Sequence, residues 1–386
     1  MRILAVDIGT GTQDVLLYDS RLDVENSFKL VAPSPTMIVH HRLKQATQRG
    51  KAVALTGVIM GGGPSQWAVE AHLKAGLPVY ATPDAARSFN DDLDEVVNLG
   101  VQVVSEDEAR RLAADVVRIE LKDFDFPAIQ RAFEPFGISL DGLDAVAVAV
   151  FDHGNAPSGF SDRQFRFDYL DERIRSENRL SAFAFHSDEV PDIMTRLKAV
   201  VHSAGQVDAP LVVMDTAPAA VLGATFDSQV AACERVMVAN IGNFHTLAFR
   251  LGPQGIEGVF EHHTGLLDLP KLENFLVSLA QGTLQHADVF NAHGHGALIY
   301  APEPLPLAVP GFNVAVTGPR RGMLHPKGPF RSLRPYFAAP FGDMMAAGCF
   351  GLLAAVADLL PEAGEELRTT LHNENSAGSS PWDIVV

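Results

Sequence analysis

Short apolar runs alternate with longer amphipathic segments along most of the chain. The strand-like runs are rich in Ala, Val, Ile and Leu, and each ends at Gly, Asp, Asn or Thr: residues 3–6, 52–60, 145–151, 211–214, 236–239 and 314–316. The segment 272–279 instead has apolar residues at i, i+3, i+4 and i+7, which predicts a helix with one face in the core. This alternation predicts an α/β fold with a largely parallel sheet.

Two segments far apart in the chain share a pattern of strand, glycine-rich turn and strand. The first turn follows residues 3–6 and contains Asp7, Gly9, Thr10, Gly11 and Thr12. The second turn follows residues 236–239 and contains Asn240, Gly242, Asn243, His245 and Thr246. Glycine turns let backbone N–H groups converge on an oxyanion, and a carboxylate such as Asp7 suits Mg²⁺. We therefore predict that the two turns bind a polyphosphate and its metal between them.

These turns, together with three further motifs, give the sequence a resemblance to the actin-like ATPase superfamily of sugar kinases, heat-shock chaperone ATPase domains and actin. Asp7, Gly9 and Thr10 match the first phosphate hairpin of that superfamily, and Asn240, Gly242 and Thr246 match the second, where a carboxylate usually stands at the position of Asn240. Residues 215–223 and 342–348 match the two connecting helices. Thr317 and Gly318 match the adenosine loop.

The resemblance implies a two-lobed, ribonuclease H-like α/β fold with a nucleotide cleft between the lobes. The first lobe would cover residues 1–225, with insertions, and the second residues 226–386. ATP would lie in the cleft, with the nucleoside near Thr317 and Gly318 and with hydrated Mg²⁺ on Asp7 and Asp215.

The same resemblance implies an ATP-dependent phosphotransferase or ATPase acting on a small-molecule or protein substrate. A kinase needs a general base, for which Asp152 and His153 at the end of an apolar run are the candidates. An ATPase needs a positioned water instead. The predicted catalytic residues are therefore Asp7, Asp152, His153 and Asp215.

Histidines in the glycine-rich loops support a second hypothesis. They are His153, His245, His262, His263, His293 and His295. Neutral imidazole binds Zn, Fe or Ni, so several of these loops could form a transition-metal site. The chain would then be a metal-dependent enzyme on a degenerate actin-like scaffold. A nucleotide-binding regulator that signals by closure of its lobes is the third possibility.

The residues around His245, around His262 and His263, and at 294–296 also resemble a prokaryotic family within this superfamily, some of whose members are labelled pyruvate formate-lyase activating-like. A radical-SAM activase of that kind binds its iron–sulfur cluster through three cysteines. This chain has two, Cys233 and Cys349. We therefore predict that the label does not describe its activity.

Composition and charge limit the number of domains, the classes of partner and the cellular location that we expect. The 386 residues predict one large or two medium domains, and 47% hydrophobic residues suffice for a packed core. A net charge of −17 argues against a nucleic-acid or anionic-membrane partner. Two cysteines form no disulfide framework, and the longest apolar run, 346–357, is too short to span a bilayer. We expect a cytoplasmic protein.

Overall fold

The computed structural model describes residues 1–372 and residue 382, so the last part of the predicted region 226–386 lies outside the described residues. The described part is a mixed α/β structure with three sheets. The strands are β1 Arg2–Ile8, β2 Thr12–Asp19, β3 Phe28–Pro33, β4 Val53–Gly57, β5 Val79–Ala81, β6 Gln102–Val103, β7 Val117–Leu121, β8 Ala145–Val150, β9 Ala184–His186, β10 Leu211–Asp215, β11 Val236–Ile241, β12 His245–Gly252, β13 Gly255–His263, β14 Gly296–Ile299, β15 Val314–Thr317 and β16 Pro335–Phe337.

The α-helices lie between these strands and after the last of them. They are α1 Pro35–Gln48, α2 Pro64–Lys74, α3 Pro83–Ala86, α4 Leu93–Asn98, α5 Glu106–Arg111, α6 Phe126–Phe133, α7 Asp162–Ser176, α8 Thr195–Ser203, α9 Thr216–Ala224, α10 Ser228–Ala231, α11 Leu269–Gln281, α12 His286–Phe290, α13 Ala347–Leu359 and α14 Pro361–Leu371. None of the described helices is long and apolar enough to cross a membrane.

The first sheet has the strand order β3-β2-β1-β8-β10-β9. Strands β1, β2 and β3 form an antiparallel meander, β8 and β10 run parallel to β1, and β9 is antiparallel to β10. The predicted opening hairpin is confirmed, and Val6 pairs with Val15 as its apolar runs require. Its strands extend to Ile8 and from Thr12, so the turn is shorter than the sequence indicated.

The second sheet repeats this topology. Its order is β14-β13-β12-β11-β15-β16, with an antiparallel meander of β11, β12 and β13 and with β15 parallel to β11. Helix α11 covers it with Leu272, Leu276 and Leu279, as the apolar spacing predicted. Both six-stranded sheets therefore contain a three-stranded meander and two parallel strands on the far side of the first meander strand. They differ in the sixth strand, which is β9, antiparallel to β10, in the first sheet and β14, antiparallel to β13, in the second.

A third sheet is inserted between β3 and β8. Its four strands have the order β6-β5-β4-β7, and all of them are parallel. Residues such as Val53, Leu55, Val79 and Ile119 give it a hydrophobic core of its own. The sequence predicted β4 but not the sheet around it.

Helices α9 and α13 cross in close contact. A Cβ on Gly223 of α9 would overlap the carbonyl of Ala347, and a Cβ on Gly351 of α13 would overlap the carbonyl of Ala219. Helix α9 directly follows β10 and covers most of the predicted segment 215–223, whereas α13 overlaps the predicted segment 342–348 only at residues 347 and 348. The absence of side chains at these two glycines lets the backbones approach.

Helix α13 returns to the first sheet although it follows the second in the chain. Its Cys349 and Phe350 share a buried cluster with Ile3 and Ala5 of β1. The opposite face of β1, with Leu4 and Val6, belongs to another cluster. The first sheet is therefore covered on one face by a helix from the far end of the chain.

Candidate functional site

The two predicted glycine turns meet in space. A Cβ on Gly11 of the first turn would overlap the side-chain amide of Asn243 in the second. Both turns close in the same way, because the Gly9 N–H donates to the Thr12 carbonyl and the Gly242 N–H donates to the His245 carbonyl, each at 2.9 Å. The first and second sheets thus present equivalent hairpins to each other.

The meeting turns border a cavity of about 840 Å³, which is within the size range of small-molecule sites. Loops of all three sheets contribute to it, including residues 61–63 before α2 and residues 87–92 after α3. Most of the predicted site residues line it, namely Asp7, Gly9, Thr10, Gly11, Thr12, Asp152, His153, Asn240, Gly242, Asn243, His245, His263, His295, Thr317 and Gly318. The cavity therefore brings together residues that the sequence separates by more than 300 positions.

Four of the predicted residues, Asp215, Thr246, His262 and His293, are not among those lining the cavity. The Asp215 carboxylate accepts a hydrogen bond from the Ala217 N–H at 2.9 Å, which caps α9, and it forms an ion pair with Arg166. The Thr246 hydroxyl is buried, 3.0 Å from the hydroxyl of Thr264. These groups are engaged in holding the fold.

Asp7 lies at the end of β1, at the base of the cavity. It accepts a hydrogen bond from the Thr216 hydroxyl at 2.5 Å, and Gly348 at the start of α13 lies directly against its carboxylate. Burial and the nearby charge of Asp215 outweigh the hydrogen bond from Thr216 and raise the pKa of Asp7 to about 6. This carboxylate is therefore poorly stabilised as an anion by the protein alone.

Asp14 pairs with Asp7 across the hairpin and also lines the cavity. Burial and the charge of Asp7 raise the pKa of Asp14 to about 8. Its Oδ1 atom is buried and has no hydrogen-bond partner among the described residues. Two crowded carboxylates with an unpartnered oxygen form an arrangement that a divalent cation would stabilise. Sequence reasoning missed Asp14, although the hairpin register places it opposite Asp7.

Three histidines converge on the same cavity from neighbouring strands of the second sheet. His245 begins β12 and pairs with His263 at the end of β13, and His295 directly precedes β14. Their ligand nitrogens all lie within 4.8 Å of one another. Burial lowers the pKa of each imidazole, with further lowering by neighbouring histidines. They are therefore neutral near pH 7, the form that binds metal.

The other predicted histidine ligands do not belong to this group of three. Both ring nitrogens of His262 are hydrogen-bonded to backbone carbonyls, to His263 at 3.0 Å and to Ala292 at 2.9 Å. His262 and His263 occupy opposite faces of β13, because successive strand residues alternate. His153 lines the cavity but does not belong to the three-histidine group.

A buried charge network supports the histidine group. Glu261 is fully buried, and its Oε2 accepts a hydrogen bond from Arg166 Nε at 3.2 Å while its Oε1 lies 3.2 Å from His295 Nδ1. Arg166 also donates to the Asp152 carbonyl at 2.9 Å and to Asp215. Burial raises the pKa of Glu261 to about 7. Sequence reasoning missed Arg166 and Glu261; the available signal was a carboxylate that directly follows the apolar residues 259–260 of β13.

The Asp152 carboxylate, a predicted general base, is fully engaged with the backbone. Its Oδ1 accepts from the Gly154 N–H, and its Oδ2 accepts from the N–H groups of Arg196 and Leu197, each at 2.9 Å. Three such bonds fix the group at the start of α8. His153, the next residue, lines the cavity beside it.

The chain matches the model of a family described as "Putative pyruvate format-lyase activating enzyme (DUF1786)" over residues 60–323. The predicted relation to the family labelled in this way is confirmed. No curated protein matches the sequence.

Among solved structures, the chain is similar to a ROK hexokinase from Thermus thermophilus, with 9% identity over 66% of this chain and 47% of that chain and a TM-score of 0.24. An exopolyphosphatase-like protein shares 9% identity over 75% of this chain and 57% of its own, at a TM-score of 0.22. A nucleotide-free acetone carboxylase shares 12% identity over 67% of this chain and 45% of its own, at a TM-score of 0.21. The chain thus spans about half the length of these proteins, and TM-scores of this size do not establish a shared fold.

The cysteines of this chain do not fit an iron–sulfur cluster, which thiolates hold. Cys349 is buried in α13, where its Sγ donates to the Asp14 carbonyl at 3.1 Å. Cys233 follows α10, and its Sγ contacts the carbonyl of Gln229. The two thiols therefore belong to separate parts of the structure, and neither lines the cavity.

Proposed function

We propose, from the premise that this chain belongs to the family described as "Putative pyruvate format-lyase activating enzyme (DUF1786)", that it binds a nucleoside triphosphate with Mg²⁺ in the cavity and transfers or hydrolyses its terminal phosphate. The activity in the family's description needs thiolates that the cavity lacks. The cavity instead has the features of a phosphate site.

The meeting of the two glycine turns carries this proposal. Turns 9–12 and 242–245 approach each other until Gly11 touches Asn243, and both border the cavity. Their backbone N–H groups and the Asn243 amide would bind phosphate oxygens from two sides. Phosphoryl transfer depends mainly on such positioning and on neutralising charge.

The shared topology of the two six-stranded sheets supports an actin-like arrangement of two lobes. Under this proposal, α9 and α13 are the connecting helices, and the nucleotide lies between the hairpins with its nucleoside towards Thr317 and Gly318. The close contact at Gly223 and Gly351 would then transmit movement between the two sheets.

The carboxylates at the base of the cavity fit Mg²⁺. Asp7 and Asp14 line the cavity, and the Oδ1 atom of Asp14 lacks a hydrogen-bond partner among the residues described. We assign the hydrated metal to this pair, so Asp14 replaces Asp215, the second metal ligand that the resemblance implied. Bound Mg²⁺ would neutralise phosphate charge.

His153 is the preferred general base if the chain is a kinase. The Asp152 carboxylate already accepts three backbone hydrogen bonds, whereas His153 faces the cavity. A neutral imidazole can accept the proton of an attacking hydroxyl group. The accepting substrate would be a small molecule or a protein group that enters the cavity.

Isothermal titration with ATP, ADP and GTP, with and without Mg²⁺, tests the proposal. We expect Mg²⁺-dependent binding that Asp7→Ala abolishes and that Asp188→Ala, at an exposed position, leaves unchanged. Indifference of the folded wild-type protein to every nucleotide would contradict it. Binding without phosphate release, measured with candidate acceptors and with water, would favour the nucleotide-binding regulator.

A further inference from the structure

We propose that His245, His263 and His295 bind one divalent transition-metal ion of the zinc class in the wall of the cavity. This goes beyond nucleotide binding, because the ligands are imidazoles on the second sheet rather than the carboxylates of the first hairpin. It also reduces the six histidines considered from the sequence to three.

The backbone prearranges the three ligands. His245 and His263 are paired residues of β12 and β13, and the His295 N–H donates to the Glu261 carbonyl at 2.9 Å. The ring centroids of His263 and His295 are 4.7 Å apart, and that of His245 lies 5.1 Å from His295. With the ligand nitrogens within 4.8 Å of one another, small side-chain rotations bring them to about 2 Å from one ion.

His295 gives independent evidence of a missing ligand. Its side chain is 6% exposed, and neither ring nitrogen has a hydrogen-bond partner among the residues that the structure describes. Buried polar atoms of this kind normally have partners. A metal on Nε2 would supply one, and it would fix the N–H on Nδ1 towards Glu261 Oε1 at 3.2 Å. A carboxylate behind a ligating histidine is the usual outer shell of a metal site.

The ligand chemistry separates this site from the Mg²⁺ site. Imidazole nitrogen suits Zn²⁺ and related ions, whereas Mg²⁺ prefers oxygen. Three protein ligands leave a coordination position open, as catalytic zinc sites do. All three histidines line the cavity, so the open position faces it. An oxygen atom of an anionic or hydroxylated substrate would occupy that position and be polarised there.

The neighbouring residues complete the pocket. The Phe151 ring stacks on His245 at 4.1 Å between centroids with an interplanar angle of 12°. It excludes water from one side of the group. His245 is the last residue of the second glycine turn, so the ion would border the proposed phosphate site. The ion would be bound by imidazole side chains, whereas the phosphate would be bound by backbone N–H groups and the Asn243 amide.

Metal titration of the full chain tests this inference. The protein is stripped with a chelator and titrated with Co²⁺ by visible absorption, then with Zn²⁺ in competition, and bound metal is counted by elemental analysis. We expect one ion per chain and imidazole-type Co²⁺ spectra. His263→Ala and His295→Gln should each weaken Zn²⁺ binding by about 100-fold or more. His41→Ala, at an exposed position on α1, should bind as the wild type does.

Further variants distinguish failure of the proposed zinc site from failure of the proposed nucleotide site. His153→Ala should retain the ion, because His153 is outside the group. Asp7→Ala should lose nucleotide and retain Zn²⁺, so failure of either proposal is visible without the other. Near-ultraviolet circular dichroism verifies that each variant is folded. No stoichiometric ion on the wild-type protein, unchanged binding in folded His263→Ala and His295→Gln, or loss of Zn²⁺ in Asp7→Ala would each overturn the inference.

Discussion

Gly11 lies so close to Asn243 that any side chain at position 11 would overlap the Asn243 amide. The two residues are more than 200 positions apart, on hairpins of different sheets. Their contact places the Asn243 amide against the tip of the first turn, at the border of the cavity. Changing it therefore tests the phosphate site without removing a charged group.

Gly11→Ala should displace the Asn243 amide from the first turn and weaken nucleotide binding by about 10-fold, because the displaced hydrogen-bond donor no longer meets the phosphate. Calorimetric titration with Mg²⁺ and ATP measures this. Gly265→Ala is the matched control, since a Cβ there meets nothing within 4 Å. Equal affinities in the two variants would show that the turns do not hold the phosphates.

Asp14 should make stability depend on pH. Its pKa is raised from 3.8 to about 8 in the folded chain, so the folded state binds more protons than the unfolded state between these values. The free energy of unfolding therefore falls as pH rises from about 4 to about 8. Asp14→Asn should remove this loss and stabilise the metal-free protein by about 1–3 kcal/mol at pH 8.

Urea denaturation at pH 5, 7 and 8 measures this effect. The exposed Asp188→Asn variant is the control and should follow the wild type. The same pH dependence in Asp14→Asn and wild type would mean that Asp14 ionises freely in the folded chain. In the proposed site, Mg²⁺ binding should also weaken in Asp14→Asn.

Arg166 should be essential for stability because it is the cation between buried carboxylates. It pairs with Asp215 and Glu261, and its side chain is fully buried. Arg166→Met leaves both acids unpaired and should cost about 3–5 kcal/mol. Combining it with Glu261→Gln should recover part of that loss. Urea unfolding of the two single variants and the double variant gives the coupling energy, and strict additivity would contradict the network.

The crossing of α9 and α13 should tolerate no added methyl group at its centre. A Cβ on Gly351 would overlap the carbonyl of Ala219, so Gly351→Ala should destabilise the chain by about 1–3 kcal/mol despite the better helix propensity of alanine. Thermal unfolding measures the change. Gly205→Ala, where the nearest atom is at an ordinary 3.5 Å, should be close to neutral. A stabilised Gly351→Ala protein would mean that the helices are not in close contact.

Local patterns predicted much of the backbone. Apolar runs gave β1, β8, β10, β11 and β15 to within a few residues, because buried parallel strands have few polar interruptions. The caps of α11 at Asp268 and Gly282 are also local signals, and the structure has both. The two glycine turns share a local pattern of strand, turn and strand, so the sequence identifies them as a pair.

The side-chain contacts of the site could not be predicted from the sequence, because they depend on the register of strand pairing and on partners that are distant in the chain. The sequence shows His262 and His263 side by side, but pairing of β13 decides which one faces the cavity, and a shift of one residue would exchange them. The sequence cannot show that the Asp215 carboxylate pairs with the Arg166 side chain, which lies 49 residues away in the chain. The position of Asp14 opposite Asp7 likewise follows from the register of the hairpin between β1 and β2.

The return of α13 to the first sheet has a consequence for biosynthesis. Ile3 and Ala5 leave the ribosome early, yet their partners Cys349 and Phe350 are made more than 300 residues later. One face of the first sheet therefore stays uncovered during most of translation. The nascent chain can bury this face only after α13 has been synthesised. A fragment that stops before residue 347 would expose this hydrophobic face to solvent and aggregate.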